Sequence, residues 1–216
     1  MPPIRYLDLT EKYLDASADY QQGWAHIDSA LQDVVRSHPR PVWSDTYTKV
    51  VLIDGVSRAQ LTRNLGREAE ENAAHALVAS GAQVTSAIDQ LRRHSVLSLD
   101  AVPHIMAAHT VFLQVLGPTV EARQLRSLVS KYLHFHADIV PIYDSRAAGH
   151  VRRFCTWPRY RQSLGKLGQI VPLVPGGDSA YHEFVLRFLL LFEHLSSLQP
   201  PVDVTVKGVD HMLWKG

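Results

Sequence analysis

Two side chains that could do chemistry lie thirteen positions apart, Lys131 and Asp144. Apolar residues flank Lys131 in a predicted amphipathic helix, so its amine could be partly desolvated and thereby a better nucleophile. A packed stem with the ammonium in water is the alternative. Asp144 precedes a helix predicted from Ser145 and is expected to cap it. Its carboxylate could also stabilise positive charge that develops on a neighbouring group, although the cap alone would account for it.

Three potential metal ligands lie between these residues, in the pattern His134, His136 and Asp138. In a strand they would share a face, but in a helix residues two apart point about 200° apart. Because the surrounding periodicity is helical, we expect no metal site, and His136 is a candidate for packing or for substrate contact. A metal-dependent hydrolase remains a weaker alternative.

A basic run follows Asp144. It contains no acidic residue until Asp178, and its aromatic members could stack on nucleic-acid bases while its cations contact phosphates. A solvated basic face is the other interpretation. The candidate substrate-binding residues in this run are Arg146, Arg152, Arg153, Trp157 and Tyr160, and the run continues through Arg159, Arg161 and Lys166.

Composition and missing motifs narrow the class of protein. The net charge of +1 gives no global attraction to nucleic acid or membrane, so any such binding requires a local patch. A single cysteine, Cys155, fits a reducing compartment, and no apolar run approaches the ~20 residues of a membrane span. We therefore expect a cytoplasmic protein without membrane association. Walker loops, dinucleotide fingerprints, nucleophile elbows and zinc-protease motifs are absent.

Apolar residues recur at three- and four-residue steps along most of the chain, which predicts an all-α fold. We expect a single domain over residues 1–216, with possible sub-lobes at about 1–117 and 118–216. The proline- and glycine-rich stretch 155–177 is predicted to be a connection, and at most one short extended segment is expected near the C-terminus, within 202–207. The predicted helices include about Leu9–His38 with a bend at Gly23, 43–54, Ala101–Leu116 and Tyr181–Leu198.

The segments Pro141–Arg146 and Val151–Arg153 resemble the part of helix-hairpin-helix DNA glycosylases that carries the catalytic aspartate. Ser130–Phe135 resembles the lysine-bearing helix of the 8-oxoguanine DNA glycosylase branch, especially its bacterial members. The resemblance implies an all-α enzyme without cofactor that extrudes a damaged or modified base from duplex DNA and cleaves its glycosidic bond. It further implies that Lys131 attacks C1′ and forms a Schiff base, while Asp144 stabilises the sugar cation.

The leading hypothesis is thus a base-excising DNA glycosylase, with possible strand-nicking lyase activity through Lys131. The alternative is a non-catalytic helical module that binds nucleic acid in defence or regulation. The residues before Lys131 lack the hairpin glycines of the family, which favours this alternative.

Overall fold

Every regular element in the described part of the chain is an α-helix, which confirms the predicted all-α class. The computed structural model describes residues 6–39, 41–57, 66, 68–118, 122–154, 158–198 and 202–216. The helices are α1 (Tyr6–Gly23), α2 (Ala25–Ser37), α3 (Trp43–Ser57), α4 (Glu68–Ala79), α5 (Gly81–Leu91), α6 (Val102–Leu116), α7 (Ala122–His136), α8 (Ser145–Phe154), α9 (Pro158–Ile170), α10 (Ser179–Ser196) and α11 (Val206–Lys215).

Helix α7 lies at the centre and packs against α2, α3 and α6. Every residue from Leu128 to Phe135 is buried, including the polar Ser130, Lys131 and His134. The apolar residues around α7 belong to one hydrophobic cluster that draws on helices from both halves of the chain. The described residues therefore form a single domain built around α7.

Helix α10 is apolar because aromatic and leucine side chains recur along one face, and Tyr181, Phe184, Phe188, Leu191 and Leu195 are all buried. Asp178 caps this helix by accepting hydrogen bonds from the backbone N–H groups of Ala180 (2.9 Å) and Tyr181 (3.0 Å). Arg126 of α7 donates to the same carboxylate at 2.6 Å. The cap therefore also ties α10 to α7.

The last helix, α11, is anchored between α1 and α8. The Tyr13 hydroxyl donates to the Asp203 carbonyl (2.9 Å) and accepts from the Thr205 N–H (3.0 Å). Thr205 caps α11 through the Gly208 N–H at 2.9 Å. A Cβ atom at Gly208 would lie 2.7 Å from the Tyr13 hydroxyl oxygen, so only glycine permits this close approach of the two helices.

One predicted non-helical stretch, the connection 155–177, is wrong over part of its length. Within the predicted connection 155–177, residues Pro158–Ile170 form α9, because a proline is tolerated in the first turn and Leu164 and Leu167 pack against the core. Near the C-terminus, residues 202–205 have no regular structure, but Val206 already begins a helix. The bend expected at Gly23 separates α1 from α2. No helix in the described ranges is both long and apolar enough to cross a membrane.

Replacement of Tyr13 by phenylalanine tests the anchor of α11. The variant loses two hydrogen bonds to backbone groups, so we expect the free energy of unfolding to fall by about 1–3 kcal/mol in urea denaturation. Tyr47→Phe is the matched control, since no hydrogen bond involves the Tyr47 hydroxyl in the described residues, and we expect it to change stability by less than about 0.5 kcal/mol. Equal effects of the two substitutions would contradict the anchoring role.

Candidate active site

A cavity of about 360 Å³ lies where α1, α2, α3, α7, α8 and α11 meet. Lys131 and Asp144 both line it, so the fold brings together the two residues singled out in the sequence. The volume is in the range of pockets that hold small organic groups. The other lining residues are Tyr20, Trp24, Asp28, Val56, Ile142, Arg146, Lys207, Asp210, His211 and Trp214.

The loop between α7 and α8 presents Asp144 to the cavity, and three hydrogen bonds hold it. The Ser130 hydroxyl accepts from the Tyr143 N–H at 2.9 Å, and the Tyr181 hydroxyl donates to the Pro141 carbonyl at 2.9 Å. His134 Nδ1 lies 2.9 Å from the Val140 carbonyl oxygen, which can only accept, so Nδ1 carries the proton. Burial lowers the pKa of His134 to about 4, and it stays neutral. His134 therefore has a structural role in the loop.

Asp144 caps α8, as predicted. Its Oδ1 atom accepts from the backbone N–H groups of Arg146 (2.7 Å) and Ala147 (3.4 Å). These two bonds and the positive end of the α8 dipole fix the carboxylate at the helix N-terminus. Because both cap bonds use Oδ1, the Oδ2 atom makes no hydrogen bond within the described part of the chain, although the residue lines the cavity.

Lys131 is 5% exposed, which settles the choice between a buried amine and a solvated one. Burial lowers the pKa of its amine to about 8, because removal from water disfavours the ammonium form. The charges of Asp144 and Asp210 act in the opposite direction and limit the shift. At pH 7 roughly a tenth of the molecules carry a neutral, nucleophilic amine, far more than for an ordinary lysine.

The opposite wall of the cavity is a network of charged and polar groups from α1, α2 and α11. Lys207 Nζ lies 3.1 Å from Asp28 Oδ2 and 3.8 Å from Asp210 Oδ2, and the Tyr20 hydroxyl donates to Asp28 Oδ2 at 3.0 Å. Burial raises the pKa of Asp210 to about 6, although the charges of Lys207 and Lys131 oppose this. Burial and the Asp28 charge likewise raise the pKa of Tyr20, which remains a hydrogen-bond donor.

Two exposed tryptophans line the cavity. Trp24 is 39% exposed and Trp214 is 42% exposed, which is unusual for so large an apolar side chain. The guanidinium of Arg146 lies over the Trp214 ring at 5.6 Å, a cation–π contact. Flat apolar rings beside a polar interior suit a planar ligand that carries polar edges.

The remaining sequence-predicted binding residues do not all reach this cavity. Arg146 lines it, but His136 stacks on Tyr132 (4.7 Å) and lines a separate surface depression of about 420 Å³. Burial lowers the pKa of His136 to about 3, so it carries no charge there. Arg152 and Arg153 are exposed on α8 outside the cavity lining. Trp157 and the side chain of Tyr160 lie outside the described residues.

Sequence reasoning missed most of the cavity wall. Lys207, Asp210, His211 and Trp214 follow the spacing i, i+3, i+4, i+7 and so share one face of α11. That periodicity was visible in the sequence, but the run of valines before it favoured an extended tail. Tyr20, Trp24 and Asp28 are also spaced by four residues. Tyr20 and Trp24 fall within the predicted helix Leu9–His38, but nothing in its periodicity indicates that they line a cavity.

The His134, His136 and Asp138 pattern does not form a metal centre. The two histidines bond to the carbonyls of Val140 and Tyr132, and Asp138 bonds to Gln32 at 2.9 Å. In the parts of the chain that the structure describes, no three histidine, cysteine or acidic side chains are placed to hold a metal ion.

Comparisons with known proteins gave no match to a protein-family model, to a curated protein or to a solved structure.

The titration of Lys131 can be measured by competitive acetylation at a series of pH values, followed by peptide mass spectrometry. We expect a midpoint near pH 8, whereas a lysine amine in water titrates at about 10.4. In Asp144→Asn the midpoint should move to lower pH, because the aspartate charge favours the ammonium form and its loss removes that support. A midpoint near ~10 in the unmodified protein would contradict a desolvated amine.

Proposed function

We propose that the protein is a base-excising DNA glycosylase with a lyase step through Lys131. One observation carries the proposal: the buried amine of Lys131 and the carboxylate of Asp144 line the same cavity. A lysine with a lowered pKa beside a fixed carboxylate is a pairing suited to attack on a carbon that gains positive charge.

In this reaction the Lys131 amine attacks C1′ of the target nucleoside. The Nζ–C1′ bond forms while the glycosidic bond breaks, and the base leaves with its electron pair. The sugar ring then opens to a Schiff base, with a proton moving from Nζ to O4′. Asp144 is the group that stabilises positive charge on the sugar during departure of the base, since its carboxylate is already oriented by the α8 cap and needs no reorganisation.

The cavity also suits a nucleotide turned out of the duplex. A base inside the helix is out of reach of an enzyme side chain, so the nucleotide must be extruded into a pocket. The exposed tryptophans Trp24 and Trp214 offer stacking surfaces in the cavity wall, and Asp28 and Lys207 offer an acceptor and a donor. This combination supports recognition of a flat, polar base.

Exposed arginines on α8 support DNA as the partner. Arg146 and Arg153 are seven residues apart, about two helical turns, and therefore project from the same side of α8. Arg146 lines the cavity, so Arg153 is placed to contact phosphates that flank an extruded nucleotide. Arg152 adds a second exposed cation beside it.

Borohydride trapping tests the catalytic proposal most directly. The protein is incubated with duplexes that each carry one oxidised, deaminated or alkylated base, and with a duplex that carries an abasic site. Reduction by borohydride should link the protein covalently to DNA through Lys131, as identified by peptide mapping. Lys131→Met should abolish the link, and Asp144→Asn should slow base release by roughly 100-fold. Lys12→Gln, on α1 outside the cavity lining and outside the basic run, is the control and should leave trapping unchanged.

A link that persists in Lys131→Met, or no link with any duplex, would refute the lyase step. Salt-dependent DNA binding without trapping or base release, unaffected by Asp144→Asn, would favour the non-catalytic binding module instead.

The contribution of α8 to DNA binding can be read from its salt dependence. We expect Arg152→Ser/Arg153→Ser to reduce the slope of the logarithm of the DNA-binding constant against the logarithm of the salt concentration by about 1 to 2. The reason is that binding releases roughly one counterion for each phosphate contact, so a variant with fewer contacts releases fewer counterions. The matched control is Arg92→Ser/Arg93→Ser, another exposed pair of consecutive arginines, at the end of α5 away from the cavity. Equal effects of the two pairs would argue against a DNA surface on α8.

A further inference from the structure

A histidine–aspartate pair lies in the wall of the same cavity. His211 of α11 lines the cavity, and its Nε2 atom lies 2.8 Å from Asp19 Oδ2 of α1. Lys215 Nζ lies 2.9 Å from the same oxygen. Hydrogen bonds from His211 and Lys215 hold the pKa of Asp19 below its ordinary value, so Asp19 is a carboxylate. The His211 ring is further held between the rings of Tyr20 (5.7 Å) and Trp214 (6.0 Å).

This arrangement determines which nitrogen of His211 is available. A carboxylate can only accept a hydrogen bond, so Nε2 carries a proton and donates a hydrogen bond to Asp19. In the neutral imidazole the lone pair then lies on Nδ1, which makes no hydrogen bond to any described residue. A histidine that acts as a general base is typically arranged in this way. A carboxylate orients the ring through one nitrogen, and the other nitrogen remains available for proton transfer.

The other polar groups of the cavity already have partners or another role. Lys207 is held between Asp28 and Asp210, the Tyr20 hydroxyl donates to Asp28, and Asp144, whose Oδ1 atom caps α8, is assigned to the sugar cation. Proton transfer by Lys207 or Asp28 would break their ion pair. His211 can accept a proton on Nδ1 without the loss of any contact that the structure shows.

We propose that His211 is the general base of the strand-nicking step, an inference that rests on the proposed function. With C1′ held as a protonated Schiff base on Lys131, the C2′–H bond breaks and its proton passes to Nδ1 of His211. The electron pair of that bond forms the C2′=C3′ double bond, the C3′–O bond breaks, and the phosphate leaves with its electron pair. Water then hydrolyses the Schiff base, which frees Lys131.

A duplex with a preformed abasic site isolates this step, because it needs no base excision and no knowledge of the lesion. Two quantities are measured on the same samples: the amount of protein trapped by borohydride, which reports Schiff-base formation, and the rate of strand nicking. In His211→Gln we expect the ratio of nicking to trapping to fall at least roughly 100-fold, the usual contribution of a general base. His104→Gln, an exposed histidine on α6 outside the cavity, should keep the ratio of the unmodified protein.

Asp19→Asn tests whether the carboxylate positions His211. We expect this variant to fold, because Asp19 is half exposed. The ratio should fall by a smaller factor, roughly 10-fold, and Asp15→Asn on the same helix should not change it. Added imidazole should partly restore nicking in His211→Ala. An unchanged ratio in folded His211→Gln, or an equal loss of trapping and nicking, would overturn the proposal. Absence of trapping in the unmodified protein would instead refute the proposed function.

Discussion

The candidate site depends on the docking of α11 against α1. The two helices approach closely, because the Tyr13 hydroxyl lies directly against Gly208 and forms hydrogen bonds with the segment that leads into α11. Once α11 is docked, its polar face closes one side of the cavity and contributes Lys207, Asp210 and His211. Without that wall, Lys131 would face water, and the pKa of its amine would not be lowered by burial.

The cavity keeps several charges out of water, which is costly unless each has a partner of opposite sign. Lys207 is paired with Asp28 and Asp210, and the charges of Asp144 and Asp210 partly offset the burial of Lys131. The pKa values of Lys131 and Asp210 move toward each other, to about 8 and about 6. Shifted pKa values of two groups in one cleft are typical of sites where protons are transferred or a nucleophile attacks.

The parts of the site that lie close together in sequence were predictable, and those that come from distant segments were not. Lys131 and Asp144 are linked by a short loop, and the periodicity around each residue indicated a buried helix face and a helix start. The face formed by Lys207, Asp210 and Trp214 is equally regular, but only tertiary packing reveals that it meets Lys131. His136 illustrates the converse, since five residues along α7 turn it away from Lys131 to another surface.

Local composition was misleading where proline and glycine are frequent. Pro158 begins α9 rather than ending a helix, and Gly165 and Gly168 are accommodated because Leu164 and Leu167 pack against the core. The packing of an apolar face outweighed weak helix propensity. The all-α class was predictable in spite of this, because it depended on the long apolar periodicities of α7 and α10.

The contact between Tyr13 and the residues before α11 also bears on when the site forms. It joins positions 190 residues apart, and a pairing of such sequence separation must overcome the entropy of closing a very long loop. Local pairs such as α6 with α7 have no such barrier. The burial of Lys131 and the lowered pKa of its amine are therefore expected among the last properties the protein acquires during folding, and among the first it loses when the ends of the chain separate. A partly unfolded molecule would keep most of its helices and carry an ordinary lysine.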